Sequence, residues 1–428
     1  MLWAHSLPRR THSGFTLVEI LVALAIGMIT VLVIMQATTA TEAQRRQTSS
    51  GSSADAAGSI ALQTIQRAIY GAGAGMTGDS NNIFNICYGA TVDASNTAAG
   101  APGAIALPAN SFAPIRIWDA AAPPAHLNAA GFDANTDIVQ IIGGGSDFFF
   151  GRGITVGVWP DPLNFSHTVV GTLADRWDET WFAIAGFHAG DLAIVVQAGA
   201  NCRISQITSL SNQGQNVSGE AGCDAPIANT ASTAAQIRHT TGTFRNFYNA
   251  CQQETSNWNG GTAFAGTGGL LYSLGPPDRF SMRAYAIRGG RLTVCAPLYQ
   301  NCTAAASWEV FGDGIVSLKA QYGFDADNNQ VVAAGEWTRT TPTANWDRLK
   351  SFRLVLVARN KQMERDAIAT ADCAPPWAGF TAADATCVGA VGAAQVFLAT
   401  GDDGANWNRY RYKIFETTVP LRNMYWSN

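Results

Sequence analysis

The sequence predicts an α+β protein: a long amino-terminal helix packed on an antiparallel β-sheet head with long loops. Three observations carry the prediction. Residues 15–35 hold a single charge, Glu19. Helical spacing then continues at Leu62, Ile65 and Ile69. Beyond residue 72, short runs rich in β-branched and aromatic residues recur between Gly, Asn and Asp. With 428 residues, 47% hydrophobic and only 14% charged, the chain can bury a sizeable core and is not a disordered polymer. Its 27 Lys and Arg against 31 Asp and Glu leave no basic footprint, so no nucleic-acid partner is expected.

The first element is a basic leader followed at once by the apolar run. Arg9 and Arg10 precede Gly14, and residues 15–35 as a helix would be about 30 Å long, the thickness of a bilayer core. Positive charge on the short leading side keeps that end cytoplasmic, so the remainder is expected to be exported. An ordinary secretory signal cut near Thr38-Thr39-Ala40 is the rival. It would need an apolar core longer than the usual ~7–15 residues and a carboxylate costing about 2.5–3.5 kcal/mol in a membrane helix.

Gly14 followed by Phe15-Thr16-Leu17-Val18-Glu19-Ile20-Leu21-Val22-Ala23-Leu24 resembles the class III signal of type IV pilins and pseudopilins. The resemblance implies cleavage between Gly14 and Phe15 by a prepilin peptidase, methylation of the new amino terminus and retention of the helix. Residues 1–14 are then a leader, 15–71 the amino-terminal helix with 15–35 spanning the membrane and later the filament core, and 72–428 the head. Cleavage would place an α-amino group on Phe15 one turn from the Glu19 carboxylate, which could pair with its own or a neighbouring subunit's ammonium. The plainer reading is a Glu favouring the positive end of its helix.

Within the helix, Ser49-Ser50-Gly51-Ser52-Ser53 is a weak segment that could kink or melt. Gly73, Gly75 and Gly78 match GxGxxG, yet a helix precedes them and a polar loop follows. A helix stop with a flexible exit is therefore expected, not a nucleotide site. Strands are expected at 137–142, 191–196, 203–208, 280–287, 314–322, 351–358 and 410–419, with the Ala/Asn/Gly-rich tracts 93–110 and 211–243 as loops. Cys202-Arg-Ile-Ser-Gln-Ile-Thr208, Gly314-Ile-Val-Ser-Leu-Lys-Ala-Gln-Tyr322, Lys350-Ser-Phe-Arg-Leu-Val-Leu-Val-Ala-Arg359 and Thr418-Val-Pro-Leu-Arg-Asn423 together resemble the head of PilW-like minor pilins.

That resemblance implies a subunit that primes type IV pilus assembly and lies at the pilus tip. Its partners would be other minor pilins, the major pilin, the prepilin peptidase and a PilY-type tip adhesin. The head would be periplasmic before assembly and part of the pilus after it. A type II secretion pseudopilin is the alternative, disfavoured by the size of the head. A secreted carbohydrate-binding protein is a third, disfavoured by Glu19.

Eight cysteines, Cys87, Cys202, Cys223, Cys251, Cys295, Cys302, Cys373 and Cys387, fit an oxidising compartment. Proximity favours Cys295 with Cys302, Cys373 with Cys387 and Cys202 with Cys223, leaving Cys87 with Cys251. No CxxC or Cys/His cluster has zinc spacing. Asp325, Asp327, Asn329 and Glu336 occupy the first, third, fifth and twelfth places of a calcium-loop pattern, with Gln330 where that pattern has Gly. A plain hairpin turn is favoured over calcium, and no cofactor is expected. No HExxH, GxSxG or phosphate-cradling loop is present, and His188 and His239 stand alone. Asp175, Asp178 and Glu179 gather beside Arg176, Trp177 and Trp181, where a loop-anchoring aromatic patch is favoured over a sugar site. The sequence therefore predicts assembly and not catalysis.

Overall fold

Helix α1 runs without a break from Leu17 to Tyr70. The computed structural model describes residues 14, 16–76, 83–133, 136–144, 154–156, 167–170, 187–196, 201–212, 215–216, 235–239, 241–259, 269–368 and 404–425. Two compact units emerge, Met1–Ser53 and Ala54–Asn428. The backbone stays helical through Ser49–Ser53 and does not melt there. A helical glycine costs about 1 kcal/mol and serine less, which is too little to interrupt a helix already propagating on both sides.

In the second unit, α1 turns a regular stripe toward the core. Ala54, Ala61, Ile65 and Ile69 are buried in one cluster with Leu292, Leu354 and Leu356, and each buried Ile contributes about 1.5–3 kcal/mol. Leu62 packs only partly, and Ile60 stays 59% exposed. Gly58 also lies on this buried side, where a Cβ would collide with the ring of Phe415, so the absence of a side chain lets that ring lie against the helix.

The helix ends where Gly73 and Gly75 adopt φ of 70° and 73°. The exit is pinned instead of flexible: Ala72 bridges Gly143, and the Gly73 amide donates to Ile142 O at 2.9 Å. Gly143 permits the approach, since a Cβ there would sit 2.6 Å from Gly71 O. Gly78 lies outside the described residues.

Five sheets make up the described head. A five-stranded antiparallel sheet runs Glu309–Asp313, Arg291–Cys295, Ser281–Ile287, Asp137–Gly143, Ile115–Asp119. A four-stranded antiparallel sheet runs Trp337–Thr338, Ile315–Phe324, Leu349–Arg359, Tyr412–Pro420. Asp137, fully buried, links the two. It accepts the Ala320 amide at 3.0 Å and the Lys319 ammonium at 3.3 Å, and pairs with Arg339. The six-stranded sheet is ordered Gly103–Leu107, Val92–Asn96, Cys202–Gln206, Leu192–Val196, Gly269–Gly275, Ile154–Val156. Its Val92–Asn96 and Cys202–Gln206 strands run parallel, whereas the other described pairings in the head are antiparallel. Gln215–Asn216, Ser209–Asn212, Ala235–Arg238 and His167–Val170 form a further four-stranded sheet, and Gly242–Arg245 with Gln253–Ser256 a hairpin.

Tract 93–110 is therefore a correction, because it supplies an antiparallel hairpin with Val92 opposite Leu107 and Ala94 opposite Ile105. Those four residues are buried, with Asp93 and Ala106, opposite each other, more exposed between them; small alanines on both faces blur the alternation. The described parts of 211–243 likewise include strands, and 217–234 lies outside the described residues.

The cysteine pairing needs a second correction. Cys87 bonds Cys202, with Cα atoms 5.9 Å apart, so neither Cys202–Cys223 nor Cys87–Cys251 forms. Sequence proximity ranks short loops first, but the parallel pairing of Val92 with Cys202 brings together residues 115 apart in sequence. Cys295 bonds Cys302. Cys251 is also disulfide-bonded, while Cys223, Cys373 and Cys387 lie outside the described residues.

Candidate anchoring and assembly site

Thr16-Leu17-Val18-Glu19 spells a helix amino-terminal cap. The Thr16 hydroxyl oxygen accepts the Glu19 amide at 3.3 Å, and Thr16 O accepts the amides of Glu19 and Ile20 at 3.0 and 3.2 Å. The same hydroxyl lies 3.4 Å from Glu19 Oε2. Glu19 thus sits in the first turn, where its negative charge complements the unsatisfied amides. Thr16 was in the motif, but its capping role emerges only from this geometry. Gly14 is exposed, and Phe15 lies outside the described residues, so the pairing partner expected for Glu19 is not on view.

From Leu17 to Thr39 the helix is apolar, with a mean hydropathy of 2.8 and no residue of that window buried within the chain. Its 23 residues reach about 35 Å, enough by length and composition to cross a bilayer. Thr30 and Thr38 return their hydroxyls to Ile26 O and Ile34 O at 2.7 and 3.0 Å, which satisfies those polar groups within the helix.

At the far end of α1, the Asn423 side-chain amide donates to Tyr70 O at 3.0 Å and Ala72 O at 3.1 Å. A residue near the carboxyl end thereby caps carbonyls that the helix leaves unpaired. Asn423 closes a stretch that carries the family resemblance, but its capping role spans 351 to 353 positions and has no local signal in sequence.

The acidic loop is compact. Single oxygens from Asp325, Asp327 and Glu336 come within 4.8 Å of one another. Asp325 accepts the amides of Asn329 and Gln330 at 3.0 and 2.8 Å, and Glu336 accepts those of Ala326 and Ala333 at 2.8 and 2.7 Å. Burial opposes charge on Asp325, but the Gln330 and Asn329 amides, Asp327 and the charge of Lys350 together hold its carboxyl below the usual range. Gln330 takes φ of 67°, the conformation for which the calcium pattern uses glycine. The Asn329 side-chain oxygen accepts the Val331 amide, so the fourth expected ligand is turned to the loop's own backbone.

Of the lone histidines, His188 stacks on Phe247 with ring centroids 4.0 Å apart, and His239 is buried. The aromatic patch at 175–181 lies outside the described residues.

Two family models match. Residues 9–35 fit the prokaryotic N-terminal methylation motif, and residues 293–423 fit type IV pilus-assembly protein W. Over that second stretch the chain is PilW-like. The PilW-like stretch takes in the Cys295–Cys302 bond, the edge strand Glu309–Asp313, the acidic loop and the whole four-stranded sheet, and it ends on the capping Asn423. It covers under a third of the chain, so the remaining sheets are known from the structure alone. No curated protein and no solved structure matches the chain.

Proposed function

We propose that this type IV pilus-related protein is a minor pilin that primes filament assembly and lies at the pilus tip with other minor pilins and an adhesin. The observation that carries the reading is the presence, in one chain, of the methylation motif over 9–35 and the PilW-like region over 293–423. A prepilin peptidase cuts between Gly14 and Phe15, and α1 then anchors the protein in the inner membrane with its head in the periplasm. Glu19 pairs with a Phe15 ammonium, its own or a neighbour's, and this pairing selects axial register as helices bundle. The role is assembly and not catalysis. We assign the Asp325 loop to turn formation and no resident cofactor to the protein.

The test is complementation of a deletion strain, scored for surface pili and for the position of the tagged protein along them. Loss of pili on deletion, with label at filament ends on rescue, is the expected result. Normal piliation without the protein, or label spread along the shaft, contradicts it.

A further inference from the structure

The hairpin Gly242–Arg245/Gln253–Ser256 belongs to no larger described sheet, and a two-stranded hairpin is marginal alone. Its tip also holds Ala250 and Cys251 at φ of 45° and 58°, conformations that cost energy in residues with a side chain. It must be held from outside, and beside the disulfide at Cys251 the segment Phe187–Asp191 does so. The Phe247 amide donates to Ala189 O at 2.9 Å, the His188 and Phe247 rings stack, and Gly190, at φ of 110°, leaves room for Asn246.

At the centre is Asp191, only 1% exposed. Its Oδ1 accepts the Tyr248 hydroxyl at 2.7 Å across the junction, and its Oδ2 accepts the His188 amide at 2.8 Å. Both donors are neutral. The other titratable or charged groups nearby are the His188 ring, Arg279 and Asp278 on the adjoining turn, and Glu254, which accepts from Asn246. Burial dominates the balance and raises the Asp191 carboxyl to about 6, despite the bonds from Tyr248 and His188 and the charge of Arg279.

We propose that Asp191 makes the hairpin tip a proton-responsive latch, which closes more firmly as the surrounding medium turns acid. A carboxyl with a higher proton affinity in the closed form than in the open one favours closure as pH falls from about 6 toward 4, and contributes little change above 7. The proposal is independent of the pilus reading, although an exported head would meet a medium whose pH the cell does not buffer.

The test is hydrogen exchange of the Tyr248–Gln252 amides in the full-length protein in detergent, corrected for intrinsic exchange. The opening constant should be about tenfold smaller at pH 5 than at pH 7.5. Asp191→Asn should abolish that dependence, and His188→Asn should keep it. Equal or greater opening at pH 5, an unchanged dependence in Asp191→Asn, or its loss in His188→Asn overturns the proposal. Should Asp191→Asn fail to fold, carboxyl carbon NMR of the wild-type protein decides: a midpoint near 6 supports the latch, and one near 4 overturns it.

Discussion

Glu19 is the only charge in an otherwise apolar stretch, and its first-turn geometry shows a cap, to which the proposed pairing adds a second role. Capping alone would make Glu19→Val a mild helix defect, about 0.5–2 kcal/mol. Pairing with the Phe15 ammonium would make it an assembly defect, because one buried charge left uncompensated costs about 3–5 kcal/mol. We expect normal processing and membrane residence of Glu19→Val with few or no pili, and an intermediate count for Glu19→Asp. Full piliation by Glu19→Val would leave only the cap. His126 carries a second prediction at this scale. Its Nε2 lies 2.8 Å from Gln140 Oε1, and its Nδ1 is buried with no partner among the described residues. Burial depresses its pKa to about 4, only partly offset by Gln140. The unfolded chain therefore binds the proton first, and stability is lost as pH falls from about 6.5 toward 4. Because the residue as a whole is only half-buried, about 2 kcal/mol is expected from the shift. From pH 7 to pH 5 the denaturant midpoint should shift further toward lower stability in the wild type than in His126→Gln; equal signed shifts would remove His126 from the balance.

At the scale of elements, the contact between α1 and the strand Tyr412–Pro420 rests on a missing side chain. Gly58→Ala gains about 1 kcal/mol as a better helix former but forces the Phe415 ring to move, at about 1–3 kcal/mol. The net should be a loss of about 1 kcal/mol, and a double variant with Phe415→Ala should show favourable coupling in a thermal melt. The Cys87–Cys202 bond closes the parallel strand pair over a 115-residue separation. Replacing both by Ala should cost about 2–5 kcal/mol of head stability, read by melting; an unchanged melt would mean that the ladder holds without it. These elements also show what was legible. Strands 137–142, 280–287 and 351–358 were readable because β-branched and large apolar residues recur between turn formers. The hairpin at 92–107 was not, since its apolar positions are few and short-spaced, with alanine on both faces, and its pairing with Cys202–Gln206 joins segments distant in sequence.

Over the whole molecule, the signals at residues 9–35 are local in sequence and the contacts that order the head are not. Basic leader, Gly14, apolar run and Glu19 are contiguous, and their chemistry follows from order along the chain. Asn423 closing α1, Asp137 joining two sheets and Cys87 meeting Cys202 depend on how strands are arranged, which periodicity does not encode. The central claim, that this PilW-like chain is processed as a prepilin and enters the pilus, is tested most directly by mass spectrometry of the protein recovered from sheared pili. The account predicts an amino-terminal peptide that begins at an N-methylated Phe15 and retains the apolar helix. A mature chain that begins near Thr41, or a processed chain present in membranes and missing from the pili, would contradict it.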